Sequence, residues 1–377
     1  MPDDAIIVGA GPAGLAVGAC LARAGVSATI LEQSARVGAT WHRHYARLHL
    51  HTDKTRSQLP FAAFAAECPR YPSRQQVIDY LQSYAGAFRL DIRFGQQVVE
   101  ARPLDGGWEV RTQDQCYRTR NLVLATGYNR EPNLPTWPGQ SSFRGLVLHS
   151  SDYRDGEPFR GRRVLVVGFG NSGGEIAIDL CEHGAEPSIA VRGPVNVVPR
   201  ELFGIPIQAV SLLQSRLPPR VADLVSRPVL RLVMGDLSRL GLVRGSAGPM
   251  TQIRRRGRIP LIDVGTIELI RGGRISVCPG LASFTEDGVV FADGAYRAFD
   301  AVILATGYRP RVDAFLQGAS MSLDRDGAPI SSGREAVPGL YFCGFRVSAA
   351  GMLREIGREA RRIGAAIAGR DKSAESV

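Results

Sequence analysis

The chain has 377 residues, 44% of them hydrophobic and 22% charged, a composition typical of a folded globular protein with a sizeable core. Its formal charge of +10 comes mainly from scattered arginines, and the densest run, residues 254–258, has no interleaved aromatics, which argues against nucleic-acid binding. The six cysteines include no C-x-x-C pair, which argues against a redox disulfide, a zinc ribbon or a secreted disulfide framework. We expect a cytoplasmic protein without a signal peptide or an integral membrane segment.

Residues 5–32 predict one complete βαβ unit. An apolar run meets Gly9-x-Gly11-x-x-Gly14, an Ala- and Leu-rich helical stretch follows, and a second apolar run ends in Glu32. In this fingerprint Gly9 permits a tight turn, Gly11 lets the backbone approach a pyrophosphate, and Gly14 lets the helix pack on the strand. The helix N-terminus then faces the phosphates, and Glu32 can accept hydrogen bonds from a ribose diol. The alternative is a glycine-rich turn that binds nothing.

The segment that follows is rich in histidine and aromatic residues and lacks a clear period. We therefore interpret residues 37–52 as a loop that crosses a site. His42, His44 and His49 invite a metal interpretation, but no partner cysteine or carboxylate motif accompanies them, and we expect no metal.

Residues 71–88 predict a helix that begins with a capping box formed by Ser73 and Gln76. Short strands are then predicted at 97–101, 108–111 and 122–124. The last of these strands leads into the string L-A-T-G-Y at 124–128.

The same pattern then repeats. A strand at 163–167 precedes Gly168-x-Gly170-x-x-Gly173 and a helix, and L-A-T-G-Y returns at 304–308, 180 residues after its first copy. This duplication predicts an α/β fold with two Rossmann-like dinucleotide-binding domains.

The two fingerprints differ where a ribose would be recognised. Glu32 suits a free 2′-hydroxyl, whereas the second unit ends in Arg192, which suits a 2′-phosphate that an acid would repel. The alternative for Arg192 is a surface arginine at the end of a strand. We therefore expect FAD in a discontinuous domain, 1–155 and 308–377, and NADPH in an inserted domain, 156–307.

Residues 202–243 form an apolar insert interrupted by prolines at 218, 219 and 228. We expect these prolines to prevent one long amphipathic helix, and so favour a helical lid over the nicotinamide site rather than helices on a membrane surface. A strand at 339–344 and an apolar-striped helix follow, and we expect disorder after about Gly369.

The chain resembles the flavin-containing monooxygenases, in particular their YUCCA-like branch. The family string F-x-G-x-x-x-H-x-x-x-Y/F is present as Phe143-R-Gly145-L-V-L-His149-S-S-D-Tyr153, where type I Baeyer–Villiger enzymes usually carry Trp at the last position. The strings Y-P-S-R-Q-Q-V-I-D-Y-L, V-L-V-V-G-F-G-N-S-G-G-E-I, A-V-R-G-P-V-N-V-V-P-R-E and P-L-I-D-V-G-T-I-E-L-I also look like this branch. Two stretches depart from it: H-T-D-K at 51–54 stands where relatives often have N-T-x-K, and the C-terminal segment looks like bacterial members.

The resemblance implies an enzyme that uses FAD and NADPH to activate dioxygen as a C4a-(hydro)peroxyflavin and to oxygenate a small organic substrate. A 2-oxo acid such as indole-3-pyruvate, oxidatively decarboxylated, is our first hypothesis, with Arg200 or Arg346 as a partner for its carboxylate. The alternatives within the class are N- or S-oxygenation and Baeyer–Villiger chemistry. A pyridine nucleotide–disulfide reductase would need a paired-cysteine motif, and a non-catalytic FAD- and NADPH-binding sensor would not need both fingerprints and the 143–153 string.

The predicted catalytic residue is His51, which would orient or stabilise the peroxide; its alternative role is packing without chemistry. A homodimer is one candidate assembly. The fingerprints and the resemblance together predict the cofactor-binding residues Gly9, Gly11, Pro12, Ala13, Gly14, Glu32, Gln33, Thr40, Trp41, Thr52, Val98, Ala125, Thr126, Gly127, Gly168, Gly170, Asn171, Ser172, Gly173, Arg192, Ala305, Thr306, Gly307 and Gly344.

Overall fold

The computed structural model describes residues 3–374, which form two α/β units, each built on a parallel sheet. The N-terminal elements are β1 (Asp3–Val8), α1 (Pro12–Ala24), β2 (Ala28–Leu31), α2 (Ala39–Arg43), α3 (Arg74–Ala87), β3 (Asp91–Arg93), β4 (Val98–Leu104), β5 (Gly107–Thr112), β6 (Cys116–Leu124) and β7 (Glu131–Pro132).

The middle of the chain supplies the second unit and its insert. Its elements are β8 (Leu146–His149), β9 (Arg163–Val167), α4 (Asn171–Glu182), β10 (Glu186–Val191), β11 (Val197–Pro199), β12 (Glu201–Leu202), β13 (Ile205–Pro206), α5 (Ile207–Gln214), α6 (Pro219–Met234), α7 (Pro249–Arg256), β14 (Leu261–Asp263), α8 (Thr266–Arg271), β15 (Ser276–Pro279), β16 (Leu281–Phe284), β17 (Gly288–Phe291), β18 (Tyr296–Ala298) and β19 (Ala301–Leu304). The chain then returns to the first unit through β20 (Tyr308–Arg309), β21 (Glu335–Val337), β22 (Leu340–Phe342) and α9 (Met352–Ala374).

The first sheet has the strand order β21-β22-β6-β1-β2-β3, and β4 and β5 extend it from β6 as an antiparallel ribbon. Strand β1 runs parallel to β2 and β6, with Val8 aligned to Leu31 and Leu124, and β22 runs parallel to β6. The carboxyl ends of these strands therefore meet at one edge, where α/β sheets bind ligands.

The second sheet has the order β15-β10-β9-β19-β8, with every pair parallel. Val167 at the end of β9 is aligned with Ala190 and Leu304, so the second glycine loop and the second L-A-T-G-Y meet at one edge. The predicted fold class, two Rossmann-like units in one chain, is confirmed.

Strand β8 precedes the predicted NADPH-binding segment, residues 156–307, but pairs with a strand of that segment. It pairs with β19, Leu146 opposite Ala301 and His149 opposite Leu304, and so belongs to the second sheet. The residues that β8 pairs with lie more than 150 residues further along the chain.

Helices α1 and α9 pack against each other on the first sheet, and α3 adds a further layer. Buried apolar residues of all three helices share one core, and Leu15, Leu81 and Ile363 are among them. The predicted capping box is present, because Ser73 accepts from the Gln76 backbone N–H while the Gln76 side chain accepts from the Ser73 N–H.

The insert folds as α5, α6 and α7, and α6 runs through Pro228. Pro218 and Pro219 lie where α5 and α6 are separated, so no single helix spans the insert, but the expectation that Pro228 also interrupts an amphipathic helix is wrong. Pro219 lies in the first turn, where no N–H is needed, and Pro228 and Leu224 are both exposed, so water can reach the carbonyl that Pro228 leaves unpaired.

The C-terminal helix α9 continues to Ala374, so the expected disorder after Gly369 is wrong over that stretch, and residues 375–377 lie outside the described residues. Within residues 3–374, no helix combines the length and the apolar character needed to cross a bilayer.

Candidate active site

The first glycine loop packs so tightly that two of its glycines admit no side chain. Gly9 has a φ of +106°, and a Cβ added there would lie 2.8 Å from the carbonyl oxygen of Ala125. A Cβ on Gly14 would lie 1.9 Å from the carbonyl oxygen of Gly9. At Gly11, by contrast, an added Cβ meets nothing within 4 Å. Gly9 and Gly14 thus hold the turn and the helix in place, and Gly11 leaves open space at the N-terminus of α1.

The second glycine loop repeats this geometry. Gly168 has a φ of +120°, and a Cβ there would lie 2.5 Å from the carbonyl oxygen of Ala305. A Cβ on Gly173 would lie 2.1 Å from the carbonyl oxygen of Gly168, while one on Gly170 meets nothing within 4 Å. Both helix N-termini therefore have the form of a pyrophosphate site.

A cavity of about 710 Å³ opens at the carboxyl edge of the first sheet and reaches the N-terminus of α4. The predicted site residues that line it are Gly9, Gly11, Pro12, Ala13, Glu32, Gln33, Thr40, Trp41, His51, Thr52, Val98, Ala125, Thr126, Gly127, Asn171, Ser172 and Gly344. The remaining predicted residues stand outside its lining: Gly14, Gly168, Gly170, Gly173, Arg192, Ala305, Thr306 and Gly307.

The polar groups around the first loop are arranged for a ligand. Glu32 is buried and accepts from the backbone N–H groups of Ala10 and Ser34, at 2.8 Å each. The hydroxyl of Thr126 is buried at the cavity wall with no hydrogen-bond partner in the described protein. Since buried polar atoms are nearly always paired, this hydroxyl points to a polar ligand.

The second L-A-T-G-Y differs, because its polar groups are satisfied within the protein. The Thr306 hydroxyl donates to the Asn133 carbonyl at 2.6 Å, and the Gly307 carbonyl accepts from the Asn133 N–H at 2.9 Å. Arg192 is exposed at the end of β10 and lies within 4 Å of no carboxylate in the described chain. Its guanidinium is therefore available to an anion.

His51 contacts a carboxylate that the sequence analysis missed. Its Nε2 lies 2.5 Å from Oε1 of Glu175, a buried residue of α4. The other oxygen of Glu175 lies 3.9 Å from Arg47, which itself bonds Glu182 at 2.8 Å. A carboxylate on the buried face of α4, two residues after Gly173, was the sequence signal that could have found it.

Two aromatic side chains complete this wall of the cavity. Burial lowers the pKa of His44 to about 4, with nearby arginines contributing. Burial, together with the charge of Glu175, raises the pKa of Tyr45. Both rings therefore remain neutral at physiological pH.

Comparison with known proteins decides the family. The model of a family described as pyridine nucleotide-disulphide oxidoreductase matches residues 6–200. Indole-3-pyruvate monooxygenase YUCCA1 of Oryza sativa subsp. japonica is 43% identical over 349 residues, covering 90% of this chain and 86% of that protein. Probable indole-3-pyruvate monooxygenase YUCCA1 of Arabidopsis thaliana is 41% identical over 349 residues, covering 90% and 84%.

The chain belongs to the YUCCA family of flavin monooxygenases. A solved flavin-containing monooxygenase from Stenotrophomonas maltophilia superposes with a TM-score of 0.74 at 26% identity, covering 100% of both chains. This YUCCA-family protein is therefore an oxidoreductase that depends on FAD and NADPH. The open space at Gly11, the Glu32 carboxylate and the unpaired Thr126 hydroxyl all fit a bound dinucleotide.

The family string at 143–153 lies outside the cavity lining and joins elements of the YUCCA-family fold. Phe143 belongs to the core of the second unit. The His149 Nε2 lies 3.1 Å from the Gly307 carbonyl, and the Tyr153 hydroxyl donates to Asp179 of α4 at 2.6 Å. Burial and this hydrogen bond raise the pKa of Tyr153. The string therefore connects the second L-A-T-G-Y to helix α4.

The disulfide-reductase alternative has no support in the cysteines of this YUCCA-family protein. All six are free thiols, and five are buried.

The two arginines expected to bind a substrate carboxylate lie outside the cavity lining. The guanidinium carbon of Arg200 lies 4.3 Å from the ring centroid of Tyr71, and Arg346 lies 4.0 Å from Glu355. The arginines that line the cavity are Arg43 and Arg130.

Proposed function

We propose that this YUCCA-family enzyme oxygenates a small 2-oxo acid, with indole-3-pyruvate as the first candidate. The single observation that carries this proposal is the 43% identity, across 90% of the chain, to a rice protein named indole-3-pyruvate monooxygenase. The reaction converts a 2-oxo acid, dioxygen, NADPH and a proton into the shortened acid, carbon dioxide, water and NADP⁺. N- or S-oxygenation and Baeyer–Villiger chemistry remain the alternatives.

We propose that FAD occupies the first glycine loop and NADPH the second. Gly11 and the N-terminus of α1 would hold the FAD pyrophosphate, Glu32 its ribose, and Thr126 a further polar group. Gly170 would do the same for NADPH, with Arg192 on the 2′-phosphate. Bound there, the two cofactors supply the electrons and the site of oxygen activation. In this division the NADPH-binding domain begins before β8 and ends near Gly307.

We propose that His51 acts on the reacting oxygen and that Glu175 positions it. The hydrogen bond between Nε2 of His51 and Oε1 of Glu175 holds the orientation of the ring and leaves Nδ1 free of that bond. His51 lines the cavity, whereas Glu175 is buried behind it. The pair therefore presents an oriented imidazole at the cavity wall, and the apolar side chains around it exclude water.

We propose Arg43 in place of Arg200 and Arg346 as the partner of a substrate carboxylate. Arg43 lines the cavity and forms no ion pair with a carboxylate in residues 3–374, whereas Arg130 already donates to the Arg311 carbonyl at 2.6 Å. We further infer a cytoplasmic location, which the six free thiols support, and membership of a bacterial branch, which the C-terminal sequence supports.

The experiment is NADPH consumption in air by the purified yellow protein. The proposal predicts that indole-3-pyruvate or phenylpyruvate accelerates consumption and lowers the hydrogen peroxide released per NADPH. Acceleration by an amine or a thioether alone would favour the alternatives, and a protein that binds both cofactors without consuming NADPH would be a sensor.

A further inference from the structure

The insert carries a second apolar surface, which faces away from the core. Its residues, here called the lid face, come from the β12–β13 hairpin, α5, α6 and the turn between the helices, and are 40 to 79% exposed. They are Phe203, Ile205, Leu213, Leu217, Val221, Leu224, Val225 and Leu232. So many exposed large apolar side chains in one segment are unusual for a protein that has no partner, and the lid face therefore indicates an interaction site.

Helix α6 has one apolar side that is buried in the protein and a second apolar side that is exposed. Ala222, Leu230 and Met234 are buried in the protein. Val221, Leu224 and Leu232 are exposed and recur at helical spacing on another side of the helix. A helix that only covered a cavity would need the first side alone. The second side therefore serves something outside the protein.

The exposed charged residues of α5, α6 and the turn between them are all basic. Residues 207–234 contain Arg216, Arg220, Arg227 and Arg231, and all four are exposed. Asp223 is the one acid of this segment, and its carboxylate accepts from the N–H groups of Met250 and Thr251 at 2.8 and 3.0 Å. Within residues 207–234, the edge of the lid face therefore presents four arginines, and the single acid of that segment is engaged elsewhere.

This pairing of exposed leucines and valines with flanking arginines fits an anionic lipid surface. Apolar side chains enter the boundary between headgroups and acyl chains, while arginines extend to the phosphates. Each basic residue near such a surface contributes about 1 kcal/mol. A second copy of the chain fits less well, because a self-complementary dimer would bring like-charged arginine edges together.

We propose that the lid face docks this protein on the surface of an anionic phospholipid bilayer. Val225 is both exposed and part of the cavity lining, together with Val210 and Val229 of the same helix pair. The docked surface therefore adjoins the wall of the cavity.

The test uses the full-length holoenzyme and vesicles, followed by sedimentation. We expect binding to vesicles of phosphatidylcholine mixed with phosphatidylglycerol, and little binding to phosphatidylcholine alone. Leu224→Ser/Leu232→Ser should weaken binding about tenfold through lost apolar burial. Arg227→Glu/Arg231→Glu should weaken it by a similar factor, and salt should weaken wild-type binding.

The matched controls are Leu134→Ser and Arg118→Glu, exposed positions outside the lid face, which should bind vesicles like the wild type. All variants should retain FAD and NADPH oxidation, because none of these residues lines the cavity. The proposal would be overturned if the wild-type protein did not sediment with the mixed vesicles. It would also be overturned by a lid-face variant that binds vesicles normally but changes the molar mass in light scattering, because the face would then join two copies.

Discussion

His51 Nε2 and Glu175 Oε1 lie 2.5 Å apart, although 124 residues separate them in the chain. The histidine belongs to the loop that follows the first βαβ unit, and the carboxylate belongs to α4 of the second. One hydrogen bond therefore joins the two nucleotide-binding units at the wall of the cavity. Glu175 is buried, so water does not readily replace its carboxylate. A substitution that removes the carboxylate therefore leaves His51 without its orienting partner.

His51→Ala should consume NADPH at the normal rate yet release hydrogen peroxide in place of product. Glu175→Gln should also form less product per NADPH consumed, by about tenfold, which is a smaller loss than in His51→Ala. The amide keeps the shape of the carboxylate but is a weaker hydrogen-bond partner for His51. The measurement is peroxide and product per NADPH consumed.

Glu182→Gln is the matched control, because Glu182 lies on the same helix and bonds Arg47 without touching His51. If Glu175 acts through His51, the double variant His51→Ala/Glu175→Gln should be no worse than His51→Ala alone. If the losses of the two single variants added in the double variant, Glu175 would not act through His51. If His51→Ala formed a normal amount of product per NADPH, His51 would have only a packing role.

Gly11→Leu should yield a folded apoprotein. An added side chain at Gly11 meets no protein atom near its Cβ, so it fills space that the pyrophosphate needs rather than disturbing the core. Gly170→Leu serves as the mirror control, and should retain FAD while losing NADPH binding. The flavin absorbance of each purified variant and its NADPH titration measure this. Full FAD occupancy in Gly11→Leu would contradict the assignment of the first loop.

Arg192→Ala should raise the KM for NADPH by roughly 10- to 100-fold, because a charge-assisted contact to a phosphate contributes about 1.5–3 kcal/mol. The KM for NADH should change little, since NADH lacks the 2′-phosphate. Arg192→Lys should recover part of the preference. Steady-state kinetics with both nucleotides test this, and equal losses for the two would show a structural role for Arg192.

Stability should fall as the pH is lowered from 6.5 towards 4, in part because of His44. The pKa of this ring is about 4 in the folded protein and 6.5 in an exposed chain. In that window the unfolded state binds the extra proton, so stability rises with pH and is lost on acidification, by up to about 3 kcal/mol. Denaturant unfolding of His44→Asn should show a smaller loss over this window than the wild type, and an identical loss would contradict the assignment.

The glycine loops could be predicted from the sequence because their geometry depends on neighbours close in the chain or at the ends of adjacent strands. Gly9 and Gly14 touch each other, and so do Gly168 and Gly173. The ligand-facing residues after β1, β6 and β22 follow from the same strand order.

Features that depend on distant pairing escaped prediction. The place of β8 follows from a partner more than 150 residues away, and the Glu175 contact from the docking of two units. Pro228 misled for another reason: water can reach the carbonyl that this proline leaves unpaired, and that exposure cannot be read from the sequence of the insert.

The proposed reaction of this YUCCA-family enzyme decarboxylates a 2-oxo acid and inserts one oxygen atom. The most direct measurement is product mass after turnover with NADPH under heavy-oxygen-labelled dioxygen, with indole-3-pyruvate, phenylpyruvate, an amine and a thioether offered separately. We expect the 2-oxo acid to yield the shortened acid, which carries one labelled oxygen, and carbon dioxide. Labelled product from the amine or thioether alone would contradict this expectation.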